Sequence, residues 1–274
     1  GIYTSNYENR PVRIEASAIT SNTVGGDGGG LLVDGGGEGG GDPLGYVLVD
    51  VTLSGNAAAG NGGGLFVESG QPWLNNVTIA HNVADSDGDD WGQGGGLYVD
   101  QGQVTLHNSL VAGNETLALT DPAPDCGVNA ALVVSGGYNL IGAADGCAWS
   151  AATGDQVGSS AAPIDPLLGS LADNGGGTLS HALLAGSPAI DAANPAAPGS
   201  GGAACQAADQ RGVGRPLDGD GNGSALCDIG AYEAPEVATP TPTATVTVTP
   251  TETPTRIPTH TPTQWTLPTP EHGR

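Results

Sequence analysis

Three stretches of this chain repeat one another. Asn22 is followed six residues later by Gly28-Gly29-Gly30-Leu31-Leu32-Val33, and Asn56 at the same distance by Gly62-Gly63-Gly64-Leu65-Phe66-Val67. Asn82 leads to Gly94-Gly95-Gly96-Leu97-Tyr98-Val99 across an insertion. A unit of about 26 to 34 residues recurring in this way is the signature of a stacked architecture, in which each unit contacts only its neighbours.

The segments that lead into each Asn align as well. Ala16 to Asn22, Asp50 to Asn56, Asn76 to Asn82 and Asn108 to Asn114 all carry an aliphatic residue three positions before the Asn: Ile19, Leu53, Ile79 and Val111. Alternating β-branched and polar residues predict a strand with one buried face. The glycines then turn the chain into a second short strand, Leu-x-Val. Two or three short strands per turn, stacked about 4.8 Å apart, make a right-handed parallel β-helix. With 48 Gly, a single Phe and no Met, the interior has to be built from Val, Ile, Leu and Ala in thin layers. Asn22, Asn56, Asn82 and Asn114 are expected to form a structural ladder. The glycines serve tight turns and close backbone approach, and no Lys-Ser/Thr follows them to make a phosphate loop.

The expected organisation is three-part: rungs over residues 1–124, last rungs and a C-terminal cap over 125–234, and a disordered Thr/Pro stalk or linker over 235–274. Gly1-Ile2-Tyr3-Thr4 reads like the tail of another Leu-x-Val strand, so further rungs are expected upstream. Cys126 with Cys147 and Cys205 with Cys227 form two local pairs, without C-x-x-C spacing. Two disulfides stapling the cap are the expectation, with an oxidising, extracytoplasmic location; four free buried thiols are the alternative. The Thr/Pro tract holds nine prolines from Pro235 to Pro270 and cannot bury a core. As polyproline-like chain it would reach about 100 Å, as an O-glycosylated stalk or a bare spacer.

A formal charge of −23 leaves no basic surface for nucleic acid and disfavours an anionic membrane. No stretch is apolar for long enough to span a membrane. The chain is expected to be a monomer.

The aliphatic-x-x-Asn and Gly-Gly-Gly-Leu repeats resemble those of polymorphic outer-membrane-type and pectate-lyase-like β-helix proteins. Asn174-Gly-Gly-Gly-Thr-Leu-Ser-His-Ala-Leu-Leu184, Gly186-Ser-Pro-Ala-Ile-Asp191, Asp209-Gln-Arg-Gly212 and Cys227-Asp-Ile-Gly-Ala-Tyr-Glu233 resemble the choice-of-anchor Q group of secreted bacterial β-helix proteins. Together these resemblances cover about residues 1–234. They imply a secreted or surface-displayed protein with a C-terminal anchor of variable type, and no catalytic residue carries over. No anchor motif of the implied kind is visible in the Thr/Pro tract.

Two acidic segments are candidate sites. Asp85, Asp87, Asp89 and Asp90, in the insertion before Gly94, could hold calcium or supply the paired carboxylates of a glycosidase, beside Trp91 as a sugar-stacking residue. The alternative is a solvated acidic loop. Asp218-Gly-Asp220-Gly-Asn222-Gly223 places oxygen ligands at positions 1, 3 and 5 and Gly at 6 of a calcium loop. Position 12 is Ile229, so Asp228 is the expected substitute ligand of a structural Ca2+; a plain Gly/Asp turn is the alternative. Between Arg13 and Arg211 there is no Arg or Lys, so the central rungs lack the base that β-helix lyases use. His81 and His107 receive no role. The expected function is a non-enzymatic extracellular surface protein that adheres to polysaccharide or to a cell-surface protein. The alternative is a carbohydrate-active enzyme, a polysaccharide lyase or glycoside hydrolase of the pectate-lyase-like type.

Overall fold

The computed structural model describes residues 1–5, 11–35, 45–119, 124–129 and 131–237. The Thr/Pro tract after residue 237 and residues 36–44, between the first two turns, lie outside the described residues.

Strand β1 (Ile2–Ser5) precedes four successive turns of a parallel β-solenoid. The first turn holds β2 (Val12–Thr20), β3 (Thr23–Val24) and β4 (Leu31–Asp34). The second holds β5 (Tyr46–Ser54), β6 (Ala57–Ala58) and β7 (Leu65–Val67). The third holds β8 (Trp73–Ala80), β9 (Val83–Ala84) and β10 (Leu97–Val99). In the fourth the long strand is broken into β11 (Gln103–His107) and β12 (Leu110–Ala112), followed by β13 (Glu115–Thr116) and β14 (Cys126–Val128). β15 (Leu132–Ser135), β16 (Leu140–Ile141) and β17 (Gln156–Val157) continue the long-strand sheet. The Leu-x-Val strands form a second sheet in the order β1-β4-β7-β10-β14, and the two-residue strands a third, β13-β9-β6-β3. There is no helix among the described residues, and so none long and apolar enough to cross a membrane.

Register puts equivalent residues in columns. Leu31, Leu65 and Leu97 stack on one another, as do Leu53 and Ile79. These residues fill the aliphatic interior, all but inaccessible to solvent. The Asn column is continuous: the backbone N–H and side-chain amide of Asn22 both donate to Oδ1 of Asn56 (3.1 and 2.9 Å), Asn56 likewise to Asn82, Asn82 to Asn114 (3.0 and 2.9 Å in each case), and Asn114 to Oδ1 of Asp125 (2.9 Å twice). The second amide proton returns to the preceding turn, from Asn56 to Ile19 O, from Asn82 to Leu53 O and from Asn114 to Ile79 O. Every dipole points the same way, so an acceptor-only carboxylate ends the series. Asp125 supplies it, its other oxygen taking the N–H of Ala143 (2.8 Å). Ser109 and Asn139 build a second column that also ends on a carboxylate, Asp155.

Two disulfides tie the C-terminal half. Cys126–Cys147 (Cα–Cα 5.3 Å) holds the turn that places Ala144 and Trp149 against the end of the interior. Cys205–Cys227 (Cα–Cα 6.5 Å) lies elsewhere, inside a second core. That core forms because residues 159–237 reach well back from the last rung and lie along the outer face of the long-strand sheet. Leu110, Ala112 and Leu140 meet Leu183, Ala189, Ile229 and Tyr232 there, each fully buried Leu or Ile contributing about 2 kcal/mol. All nine residues of β5 are buried for this reason, one face by the interior and the other by the flanking layer.

Polar latches fasten the layer. Asp50, Asn76 and Asn108 stand in one column in left-handed backbone (φ 51°, 54° and 47°), a conformation that Asn and Asp tolerate best among non-glycine residues. Asn76 takes the N–H of Gln206 and points its amide at the carbonyls of Asp228 and Gly230. Asn108 bonds Ala203 O and the N–H of Asn194. Asp50 faces Arg215 at 3.6 Å. Thr52 reaches Gln210 (2.6 Å), and Ser54 reaches Nε2 of His181 (2.8 Å).

This buried chemistry predicts a pH dependence. Burial, working against the Arg215 charge, pushes Asp50 up to about 7; burial and the Glu233 charge push Asp228 up to about 8. An acid raised on folding contributes stability that is complete below its unfolded value and is lost as pH rises through the folded one. Burial pushes His107 and His181 down, with the opposite sign, and their contribution is complete above about pH 6.5. From pH 6.5 to 8.5 the two acids alone act among these four, draining about 3 kcal/mol at about 1.4 kcal/mol per unit. Melting temperature should fall over that range, and Asp50→Asn should flatten the fall. A rising or level profile in the parent protein would refute the assignment.

Candidate glycan-binding face

In each Leu-x-Val strand the middle residue faces away from the interior, and the register stacks these middle residues across turns: Tyr3 beside Leu32, Leu32 beside Phe66, Phe66 beside Tyr98. The Phe66 and Tyr98 rings lie parallel, centroids 5.8 Å apart and 3° between planes. Tyr98 then covers Gly127, where a Cβ would stand 3.0 Å from the ring. Acidic and amide side chains border this apolar column on both sides. Asp34, Glu68 and Asp100 come directly after the Leu-x-Val triplets. Asp27, Asn61 and Gln93 precede them, with Asn61 donating twice to Asp27 Oδ1 and Gln93 N–H donating to Asn61 Oδ1.

Two depressions meet at Asp27 and Asn61. One, about 300 Å³, is floored by Leu32, Phe66 and Tyr98 between Glu68 and Asp100; the other, about 340 Å³, is lined by Gly25, Gly60, Asp87, Asp89 and Trp91. The structure therefore brings Asp87, Asp89 and Trp91 to a groove that continues onto the aromatic column. Trp91 is 81% exposed. The column went unread in the sequence, although the strict alternation of Leu-x-Val is the signal that turns its middle residue outward.

The acidic loop is organised by Asp85. It is fully buried in left-handed backbone (φ 51°), and its Oδ1 accepts the N–H groups of Asp89 (3.1 Å) and Trp91 (3.3 Å). Asp85, Asp87 and Asp89 each bring a carboxylate oxygen within 4.8 Å of the others. Desolvation and the negative charges of Asp87 and Asp85 push the Asp89 carboxyl above its usual range. Asp90 stands apart, accepting the N–H of Leu119.

The second acidic loop differs from its expected ligand set. Asp218 and Asp220 gather with Asp191, and Asp228 turns the other way. The two Asp228 oxygens take the N–H groups of Asp191 and Ala234 in the buried layer. Asn222 bonds Asp220 with its amide and takes the N–H of Ser224 on its oxygen. Backbone N–H groups occupy both oxygens of Asp218 and of Asp191. The sequence could propose Asp228 because it is near in the chain; Asp191 arrives only through folding.

No protein-family model matches the chain, and no curated protein or solved structure matches it. The parallel β-solenoid rests on the chain's own geometry. The two disulfides point to an oxidising, non-cytoplasmic compartment.

Proposed function

We propose that this is a non-enzymatic extracellular protein that binds polysaccharide along the groove formed by Leu32, Phe66, Tyr98 and Trp91. The observation that carries this reading is the coincidence of an aromatic column with two bordering rows of carboxylates and carboxamides. A pyranose offers C–H faces to aromatic rings and hydroxyls to planar oxygen acceptors. Rungs repeating about every 4.8 Å nearly match the length of one sugar residue in an extended chain. The resemblance to secreted β-helix proteins of the choice-of-anchor Q and pectate-lyase-like kinds supports display outside the cell, with the Thr/Pro tract as its stalk.

A second reading is a glycoside hydrolase or lyase, because the same groove gathers Asp27, Asp87 and Asp89. The described part of the groove holds no Arg or Lys to serve a lyase as base.

Incubation of the protein with plant, algal and bacterial polysaccharides, scoring retention and new chain ends, separates the readings. Retention without cleavage is expected, and Trp91→Ala should weaken it about tenfold, the order of 1.4 kcal/mol for one lost ring contact. Chain cleavage would establish the enzyme instead, and absence of retention on every polysaccharide would remove the glycan reading.

A further inference from the structure

We propose that Asp85, Asp87 and Asp89 form a binding site for a calcium ion, and that this site is distinct from the 218–223 loop. The alternation Asp-Ser-Asp-Gly-Asp places three carboxylates on every second residue, and the chain then wraps them around one point. Left-handed backbone at Asp85, Gly88 and Asp90 (φ 51°, 71° and 67°) and the bond from Gly88 N–H to Asp85 O (3.0 Å) close the loop. One oxygen from each carboxylate then lies within 4.8 Å of the other two. Oxygens on opposite sides of one Ca2+ at about 2.4 Å stand about 4.8 Å apart, so all three fit a single coordination shell.

The decisive feature is an oxygen left over. Asp85 has no solvent exposure, and while Oδ1 holds two amide protons, Oδ2 is buried with no hydrogen-bond donor. A buried carboxylate with one oxygen undonated, in a cluster with two further carboxylates, is strongly disfavoured unless a cation or a proton joins it. The protein has no Lys, and among the described residues none of the three acids forms an ion pair. An all-oxygen donor set with no His or Cys selects a hard cation, and a flexible loop of carboxylates suits Ca2+ better than the rigid octahedron of Mg2+. The 218–223 loop contrasts with this: the oxygens of Asp191, Asp218 and Asp220 all have N–H partners, and no buried oxygen is stranded.

The inference stands apart from the glycan reading, and its test needs no glycan. Full-length protein is titrated with Tb3+ while the tryptophans are excited, then with Ca2+ in competition, and Ca2+ binding is measured by calorimetry. Sensitised emission that Ca2+ displaces is expected. Asp87→Asn, an exposed change that the fold tolerates, should weaken Ca2+ at least tenfold; Trp91→Phe should remove most of the emission while leaving the calorimetric affinity intact. Asp218→Asn should change neither. No Ca2+ heat at millimolar concentration would overturn the proposal, as would full affinity in both Asp87→Asn and Asp85→Asn. Loss of binding in Asp218→Asn alone would place the ion in the other loop and overturn it equally.

Discussion

Replacing Arg215 by alanine should unfasten the flanking layer from the solenoid and destabilise the protein by about 4 kcal/mol. The Arg215 guanidinium is wholly buried. It donates to Glu233 Oε2, Asp228 O and Gly230 O, all at 2.9 Å, and stands 3.6 Å from Asp50. Around it the negative groups outnumber the positive. Glu233 also takes the N–H groups of Asp228 and Leu217, and Asp209 pairs with Arg211, whose guanidinium stacks 3.6 Å above Tyr232. Truncation leaves Asp50 and Glu233 without their cation and leaves the carbonyls of Asp228 and Gly230 with only the longer bonds from Asn76, the situation in which breaking a buried pair costs about 3 to 5 kcal/mol. Lysine should not rescue the loss, because one ammonium cannot span three acceptors set for a planar fork. Hydrogen exchange should report lost protection in residues 159–237 with the Leu-x-Val strands still protected. The deficit should shrink at pH 5, where Asp50 and Asp228 are protonated. Uniform loss of protection, or a change below about 1 kcal/mol, would contradict the latch.

The solenoid was legible before folding because each turn repeats the same offsets. An Asn six residues before three glycines in two of the turns, and Leu-x-Val after them, leave the chain few other ways to bury its aliphatics. The flanking layer was not legible. Its partners lie far away in sequence: Gln206 bonds Asn76, Gln210 bonds Thr52, His181 bonds Ser54. Asp50, Asn76 and Asn108 open their repeats as polar residues, and nothing local distinguishes a solvated Asn from one that docks a second core. The ladder's terminators escaped for a related reason. Asp125 and Asp155 stand where the repeat decays, so periodicity falls silent at the point where a carboxylate becomes necessary. At the acidic loops spacing identified the oxygen-rich segments, but burial of Asp85 and the arrival of Asp191 are properties of the packed chain.

Gly64→Ala should be as damaging as loss of Arg215, and it tests whether the glycines and the asparagines are one device. The three glycines have different duties. The first adopts left-handed backbone (φ 72°, 66° and 62° at Gly28, Gly62 and Gly94), which a side chain strains. The second lies against the short-strand sheet, where a Cβ at Gly63 would stand 2.4 Å from Val83 O. The third makes room for the ladder: a Cβ on Gly64 would stand 2.6 Å from Gly96 O, 2.8 Å from Asn82 Nδ2 and 2.9 Å from the Ile79 side chain. The same clash with the ladder amide recurs at Gly30 with Asn56 and at Gly96 with Asn114. None of these neighbours is a free-swinging side chain. Asn82 is fixed by bonds to Asn114, Leu53 and Ala80, and it accepts both protons from Asn56. Relieving the overlap means breaking that set, leaving buried donors unpaired at about 1 to 3 kcal/mol each. A loss of about 4 kcal/mol is expected, lowering the melting temperature by about 10 °C in a chain of this size. Gly26→Ala, which meets nothing within 4 Å, should stay within about 0.5 kcal/mol of the parent. Asn82→Ala supplies the closing measurement. Combined with Gly64→Ala it should destabilise by less than the two single changes added together, since the methyl then fills space the amide has vacated. Full additivity would mean that the glycine and the asparagine act independently.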